Sequence, residues 1–530
     1  MLPEKMIGRF TSCIASILLL GSAESFSNNL AITSPSVESV NPSGQVATLQ
    51  FSLSWENSWR DEVNYDAVWV FVKFSDDGGP WGHASLIESD GNPSSVEVEV
   101  SPDGLGAFVF RSTEASGNFQ VSNLLIDWDY GASGITDITG YDIVVYGIEM
   151  VSIPEGSFLV GDGENSELYG NFENGTSGNP LQITSEGALT LGGGAAGSLG
   201  NNNRTGHYVE AGSCEGSGCV AGSGDDFSDA VLQSLPGGFP KGFQAFYCMK
   251  YELTQQQWVD MLNTCTAQQL GVLTSTSHYY MAAGSGDLAT DRYGISEGGG
   301  VYSTTQPHLP MIYLDWIRGA AYGDWAGLRP MTELEFEKTC RGPEAATAGQ
   351  YPWGNSAIAL SGNLTVVNAG DPDESIATGY NEDGVNGNCW IRGGDRVMTT
   401  IARVGIFASQ AENSGRITSG STFYGVMDMG GNAWERTVSV GHANGREFQG
   451  NHGDGALNVN GYANVADWPG DPFDAGYIET NIAIGYRGGG LAFPSPNTER
   501  NARISSRRLA SAYYNLVIHD DGIRFVRTAQ

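Results

Sequence analysis

Apolar and polar residues alternate through the first quarter of the chain. In 46–55, VATLQFSLSW, Ala47, Leu49, Phe51, Leu53 and Trp55 fall at every second position, the period of a strand with one face in a core. Segments 67–74, 96–100, 107–111, 119–125 and 141–148 repeat the theme between Gly, Asp, Asn and Ser turns. They predict an antiparallel β-sandwich over 28–148. The period then changes. Thr254 precedes Trp258, Met261 and Leu262 at helical spacing, and Gln257 completes a capping box; Thr332 and Glu335 repeat that signature ahead of Leu334, Phe336 and Cys340. Asp315 caps a third predicted helix through Trp316, Ala320 and Trp325, with Gly327 as its stop. The aromatic residues of these helices are expected in the core. A Gly/Ser/Asn-rich insertion, 162–236, and a shorter one, 284–302, read as functional or mobile loops rather than core. Neither has a phosphate-loop pattern.

One segment carries candidate chemistry. In 425–435, GVMDMGGNAWE, the pair Gly430-Gly431 permits a tight turn with exposed carbonyls. Asp428 and Glu435 bracket the turn and Asn432 adds an amide. Such an oxygen-rich turn suits a hard cation such as Ca²⁺. The same residues equally describe a capped surface turn around a buried Trp434.

With four other segments, this one resembles the formylglycine-generating enzyme, or sulfatase-modifying factor, family. The others are 150–161 (MVSIPEGSFLVG), 246–258 (FYCMKYELTQQQW), 310–316 with 329–341 and 351–355 (PMIYLDW, RPMTELEFEKTCR, YPWGN), and 521–527 (DGIRFVR). The resemblance covers about 149–530 and implies an α+β, C-type-lectin-like fold. The predicted architecture is therefore that fold preceded by an all-β sandwich, with a boundary near 148/149 and a C-terminal unit that folds alone. The resemblance also implies structural Ca²⁺. One site would use Asp428, Glu435 and the carbonyls of Gly431 and Ala433; a second would use Asn363, Asp383 and the carbonyls of Leu364 and Val385.

Active members of the family oxidise a substrate cysteine with copper held by two late cysteines, because soft Cu(I) selects thiolates. The corresponding segment here, 486–503, keeps Arg487-Gly-Gly but has no cysteine, and none follows Cys389. No copper is expected. An iron-dependent branch, resembling the ergothioneine-biosynthesis sulfoxide synthases, needs a His-rich triad, whereas the N-terminal region offers only His83. The expected function is non-catalytic binding or structure, with a protein or glycan ligand presented to Phe493, Asn497, Arg500, Arg503, Arg507 and Tyr513 on the C-terminal loops. The alternative is a divergent oxidoreductase of the same family.

Composition adds bounds. A length of 530 residues suggests at least two domains. Residues 1–23 have Lys5 and Arg9, an apolar run and then small residues, the pattern of a secretory signal peptide. No later segment reads as a membrane span. Secretion or cell-surface display is expected, with self-assembly through an exposed sheet edge as a further use of the sandwich. The net charge of −34 argues against general nucleic-acid binding. Cys214 and Cys219 offer a small disulfide in an oxidising compartment. Cys248 and Cys340 read as buried small hydrophobes, and no Cys or His cluster has zinc spacing. Trp55, Trp59, Trp69 and Trp81 fit a sheet core better than a sugar platform.

Overall fold

The strand Asp66–Asp76 is buried on both faces over nearly its whole length. Val68, Val70 and Val72 enter one core with Leu49, Leu53, Trp55, Ile126 and Trp128, while Ala67, Trp69 and Phe71 enter another with Tyr322, Trp325, Leu328 and Phe525. A strand wetted on one face alternates; one covered on both reads as a continuous apolar run. The run 67–72, AVWVFV, is of the second kind. The computed structural model describes residues 29–529 apart from 165–170, 203–207, 210–212, 215–225, 228–230, 275–291, 361, 395–399, 410–414, 471–475, 479, 492–497 and 512–519. The expected signal peptide, 1–23, lies outside the described residues.

Asp66–Asp76 belongs to an eight-stranded sheet. Its order is Arg329–Pro330, Phe525–Thr528, Phe246–Met249, Tyr141–Ile153, Asp66–Asp76, Ala107–Arg111 and Val96–Val100, with Gly82–His83 also paired to Asp66–Asp76. Every pairing is antiparallel. A second sheet, Ala31–Asn41, Val46–Arg60, Ala115–Asp129 and Leu86–Ile87, packs on one face and completes the all-β N-terminal region. Predicted strands 96–100 and 107–111 are found at those bounds. The polar edge strand Ala31–Asn41 lacked the apolar alternation that would have exposed it in the sequence.

The expected boundary at 148/149 needs correction. Tyr141–Ile153 pairs with Asp66–Asp76 from Tyr141 to Val151, and its last four residues also pair with Phe246–Met249 on the other side. A cut at 148/149 would sever this strand. Contacts across the seam reinforce it. Trp69 Nε1 donates to the Ala326 carbonyl at 2.9 Å, and Lys73 Nζ to that of Trp325 at 2.7 Å. Lys250 pairs with Asp66 at 3.1 Å and Glu149 at 3.3 Å. N-terminal and C-terminal regions share one sheet and one core.

Among the described residues, the helices of seven residues or more each open on a side-chain cap. In α1, Gln255–Leu262, and α4, Glu333–Arg341, both halves of the capping box form. Asp315 caps α3, Trp316–Trp325, and Gly327 follows it at φ 68°. The unforeseen α2, Ala267–Leu273, has its own capping box of Thr266 and Gln269, a signal present in the sequence. The 162–236 insertion is also more than a loop. It forms a sheet of Asn171–Asn174, Leu199–Asn202, Leu189–Leu191 and Gln233–Leu235, whose Phe172, Leu191, Leu199 and Leu235 join the larger core.

Candidate cation cluster and C-terminal face

The 425–435 turn owes its shape to left-handed residues. Gly425, Asp428, Gly431 and Asn432 have φ of 88°, 55°, 86° and 59°, conformations open to Gly and tolerated by Asn and Asp. A Cβ on Gly431 would lie 2.6 Å from Cys389 Sγ and 2.8 Å from the Trp390 carbonyl oxygen. Only glycine fits. The Asn432 amide spans both backbone groups of Ala402, accepting from its N–H at 2.9 Å and donating to its carbonyl at 3.2 Å. Asn432 is therefore a brace.

The carboxylates are differently supplied. Glu435, opening the strand Glu435–Val438, accepts from Arg524 Nε at 2.6 Å through Oε1, while its buried Oε2 has no partner. Asp428 Oδ2 accepts from the Gly405 N–H. Glu252, at the entry to α1, accepts weakly from the Ala433 N–H at 3.4 Å, and its Oε2 is also orphaned. Burial pushes all three carboxyls above their ordinary range, and Asp428 adds to the rise of Glu252 and Glu435. Three buried acids thus share one ion-paired guanidinium. No hydrogen bond reaches the carbonyl of Gly431 or Ala433 among the described residues. Orphaned buried oxygens are rare and call for a missing partner. Among the described residues no three acidic, His or Cys side chains form a ready metal cage, so a cation here would draw on carbonyls as well. Sequence reasoning missed Glu252; its signal was an acid at the junction of a buried strand and a capped helix.

The second expected site is built otherwise. The Asn363 carbonyl lies against Gly379, where a Cβ would approach it to 2.4 Å, so the two segments are neighbours. Asp383, however, is saturated by its own turn. It accepts from the N–H groups of Val385 at 2.7 Å and Asn386 at 3.0 Å, and from the amides of Asn381 at 2.6 Å and Asn386 at 2.9 Å. These bonds pull its carboxyl down to about 2. The Val385 carbonyl accepts from Asn355 at 3.0 Å.

The expected basic display face also needs correction. Arg507 is buried, pairing with Glu333 at 2.8 Å and Asp226 at 3.0 Å. Arg487 joins the same network through Glu333 and Glu337. Arg503 is ion-paired with Glu164 and lies over the Tyr351 ring. Arg500 sits half-buried on the short turn Thr498–Ala502. Phe493, Asn497 and Tyr513 lie outside the described residues, as does Cys219. Cys248, Cys340 and Cys389 are buried and form no disulfide among the described residues, and burial pushes the Cys248 thiol up to about 12 and that of Cys340 higher still.

The sulfatase-modifying factor enzyme 1-like domain matches residues 240–529, more than half of the chain. The chain belongs to this sulfatase-modifying factor family. Its similar relatives include the formylglycine-generating enzyme of Thermomonospora curvata, 41% identical over 59 residues, 11% of this chain and 19% of that protein. The Bos taurus formylglycine-generating enzyme is 31% identical over 101 residues, 16% and 26% of the two chains. The Mus musculus inactive C-alpha-formylglycine-generating enzyme 2 is 29% identical over 142 residues, 27% and 35%. These matches span about a fifth to a third of the relatives' own lengths. The modifying-factor family therefore includes a relative named inactive. No helix among the described residues is long and apolar enough to cross a membrane.

Proposed function

We propose that this sulfatase-modifying factor protein is an exported, non-catalytic binding or structural protein on a C-type-lectin-like scaffold. The observation that carries the reading is the cysteine pattern: segment 486–503, which corresponds to the thiol-bearing segment of active relatives, has none. Burial raises the thiol pKa of Cys248, Cys265 and Cys340, which disfavours the thiolate that copper requires. Incubation with copper, oxygen and a sulfatase-motif peptide is expected to leave the peptide cysteine unchanged by mass spectrometry. Formylglycine in the product would establish the rival reading, a divergent oxidoreductase. Export rests on 1–23 and is checked by N-terminal sequencing of protein recovered outside the cell.

The scaffold is held, in this reading, by Ca²⁺ at the 425–435 turn. Asp428, Glu435 and the carbonyls of Gly431 and Ala433 would hold the ion, with Glu252 as an added carboxylate. The fit is one of charge and of donors. Three buried acids face one paired guanidinium, and two carboxylate oxygens lack any partner. A divalent cation supplies what the turn lacks.

A further inference from the structure

A cavity of about 1010 Å³ opens where the N-terminal sandwich meets the C-terminal region. One wall is the end of the paired strands Val46–Arg60 and Ala115–Asp129; the other comes from residues 403–409 and the approach to the 425–435 turn. Arg403 lines it and is 7% exposed, yet its Nε has no hydrogen-bond partner. No carboxylate comes within ion-pairing distance of its guanidinium among the described residues. The other eight buried arginines among the described residues, from Arg318 to Arg527, each have one within 4.0 Å. From Arg403, Glu374 accepts only the backbone N–H, at 3.0 Å; its carboxylate is otherwise taken by Arg292 and the Gly370 N–H. Asp428 feels the Arg403 charge without pairing to it. A buried guanidinium without an acid is costly to keep, and one aimed into a cavity is built for an anion.

The rest of the wall defines what carries that anion. Tyr251 is 6% exposed, and its hydroxyl makes no hydrogen bond among the described residues. Trp59 is half-buried at the same cavity; Gly425 leaves room for its ring, since a Cβ there would lie 2.7 Å away. Lys250 is 4.9 Å from the Trp59 ring centroid, but its charge is taken by Asp66 and Glu149. Ser375, Ser409 and Ser421 complete a hydroxyl-rich lining, while Glu56 and Asp373 repel a polyanion. The geometry points to an acidic sugar with a single anionic group: its carboxylate or sulfate meets Arg403 and Tyr251, and its ring lies against Trp59. This goes beyond the non-catalytic reading and does not depend on it.

Calorimetric titration of the full chain tests it, with D-glucuronate, D-galacturonate and glucose 6-sulfate as probes and glucose and inorganic sulfate as comparisons. At least one acidic sugar is expected to bind saturably and roughly tenfold or more tighter than glucose and than sulfate. Arg403→Gln is expected to erase the preference over glucose, and Arg403→Lys to keep part of it, at unchanged melting temperature. Equal binding of acidic and neutral sugars by the native protein overturns the proposal, and so does undiminished binding by a folded Arg403→Gln variant. Sulfate binding as tightly as the best acidic sugar, an adventitious ion only, overturns it too. Should Arg403→Gln not fold, Trp59→Ala decides: its acidic-sugar affinity is expected to fall roughly tenfold, and an unchanged affinity overturns the proposal. Peptide oxidation would leave these results standing, and absent sugar binding would leave the non-catalytic reading standing.

Discussion

The turn at 425–435 and the loop at 381–386 each carry an acid within two residues of a glycine, and both are candidate cation segments. They differ in who supplies the donors. Asp383 is exposed and receives four hydrogen bonds from its own turn, which stabilise the ionised form. Glu435 and Glu252 are buried with one oxygen each unanswered, and burial disfavours their charge. A carboxylate that has satisfied itself gains little from a cation; one deprived of donors gains much. The acid in the motif is thus a weaker signal than the supply of donors around it.

The comparison can be broken most forcefully at Arg524. Arg524→Met removes the ion pair of Glu435 and the one cation paired within the acid cluster, and is expected to cost about 3–5 kcal/mol in urea unfolding of metal-free protein. A loss under about 1 kcal/mol would mean that the acids are already neutral. Next is the cation itself. Raising free Ca²⁺ to about a thousand times its dissociation constant is expected to stabilise the metal-free protein by roughly 4 kcal/mol. Coincident melting curves with and without chelator, in protein verified as metal-free, would remove calcium from the account.

Smaller effects sharpen the contrast. Glu435→Ala is expected to abolish the calcium-induced rise in melting temperature. Glu252→Gln is expected to reduce it, and to change metal-free stability by about 1–2 kcal/mol in the favourable direction, because one buried acid is gone. The smallest effect belongs to Asp383→Asn, which is expected to leave the calcium response intact; a lost response would restore the second site. Its signature is at low pH. The folded carboxyl sits at about 2, below the ordinary 3.8, so its contribution is complete above about pH 4 and disappears as the pH falls through about 2. The gap between wild-type and variant melting temperatures should close over that window.

Local features were legible in the sequence because their causes are local. The capping boxes at Thr254 and Thr332 and the strand alternation at 46–55 each depend on a few adjacent residues. Arg507 was misjudged because its partners Glu333 and Asp226 lie 174 and 281 positions away. A local reading saw a basic loop where the fold closes a salt network. The domain boundary failed for a related reason: the apolar run at 67–72 says that both faces of a strand are covered, without saying by what. Glu252 hid because a lone acid in a helix-entry segment has the look of a cap.

The strand Tyr141–Ile153 has a mechanical consequence. Tethered domains on a flexible linker extend first at the linker when pulled apart. Here the path of tension from the sandwich to the C-terminal region runs through an antiparallel ladder, from Asp66↔Val151 to Asp76↔Tyr141, continued by Phe246↔Ile153 to Met249↔Met150. Load is shared among many hydrogen bonds at once, so a tug at one end is borne by the whole body.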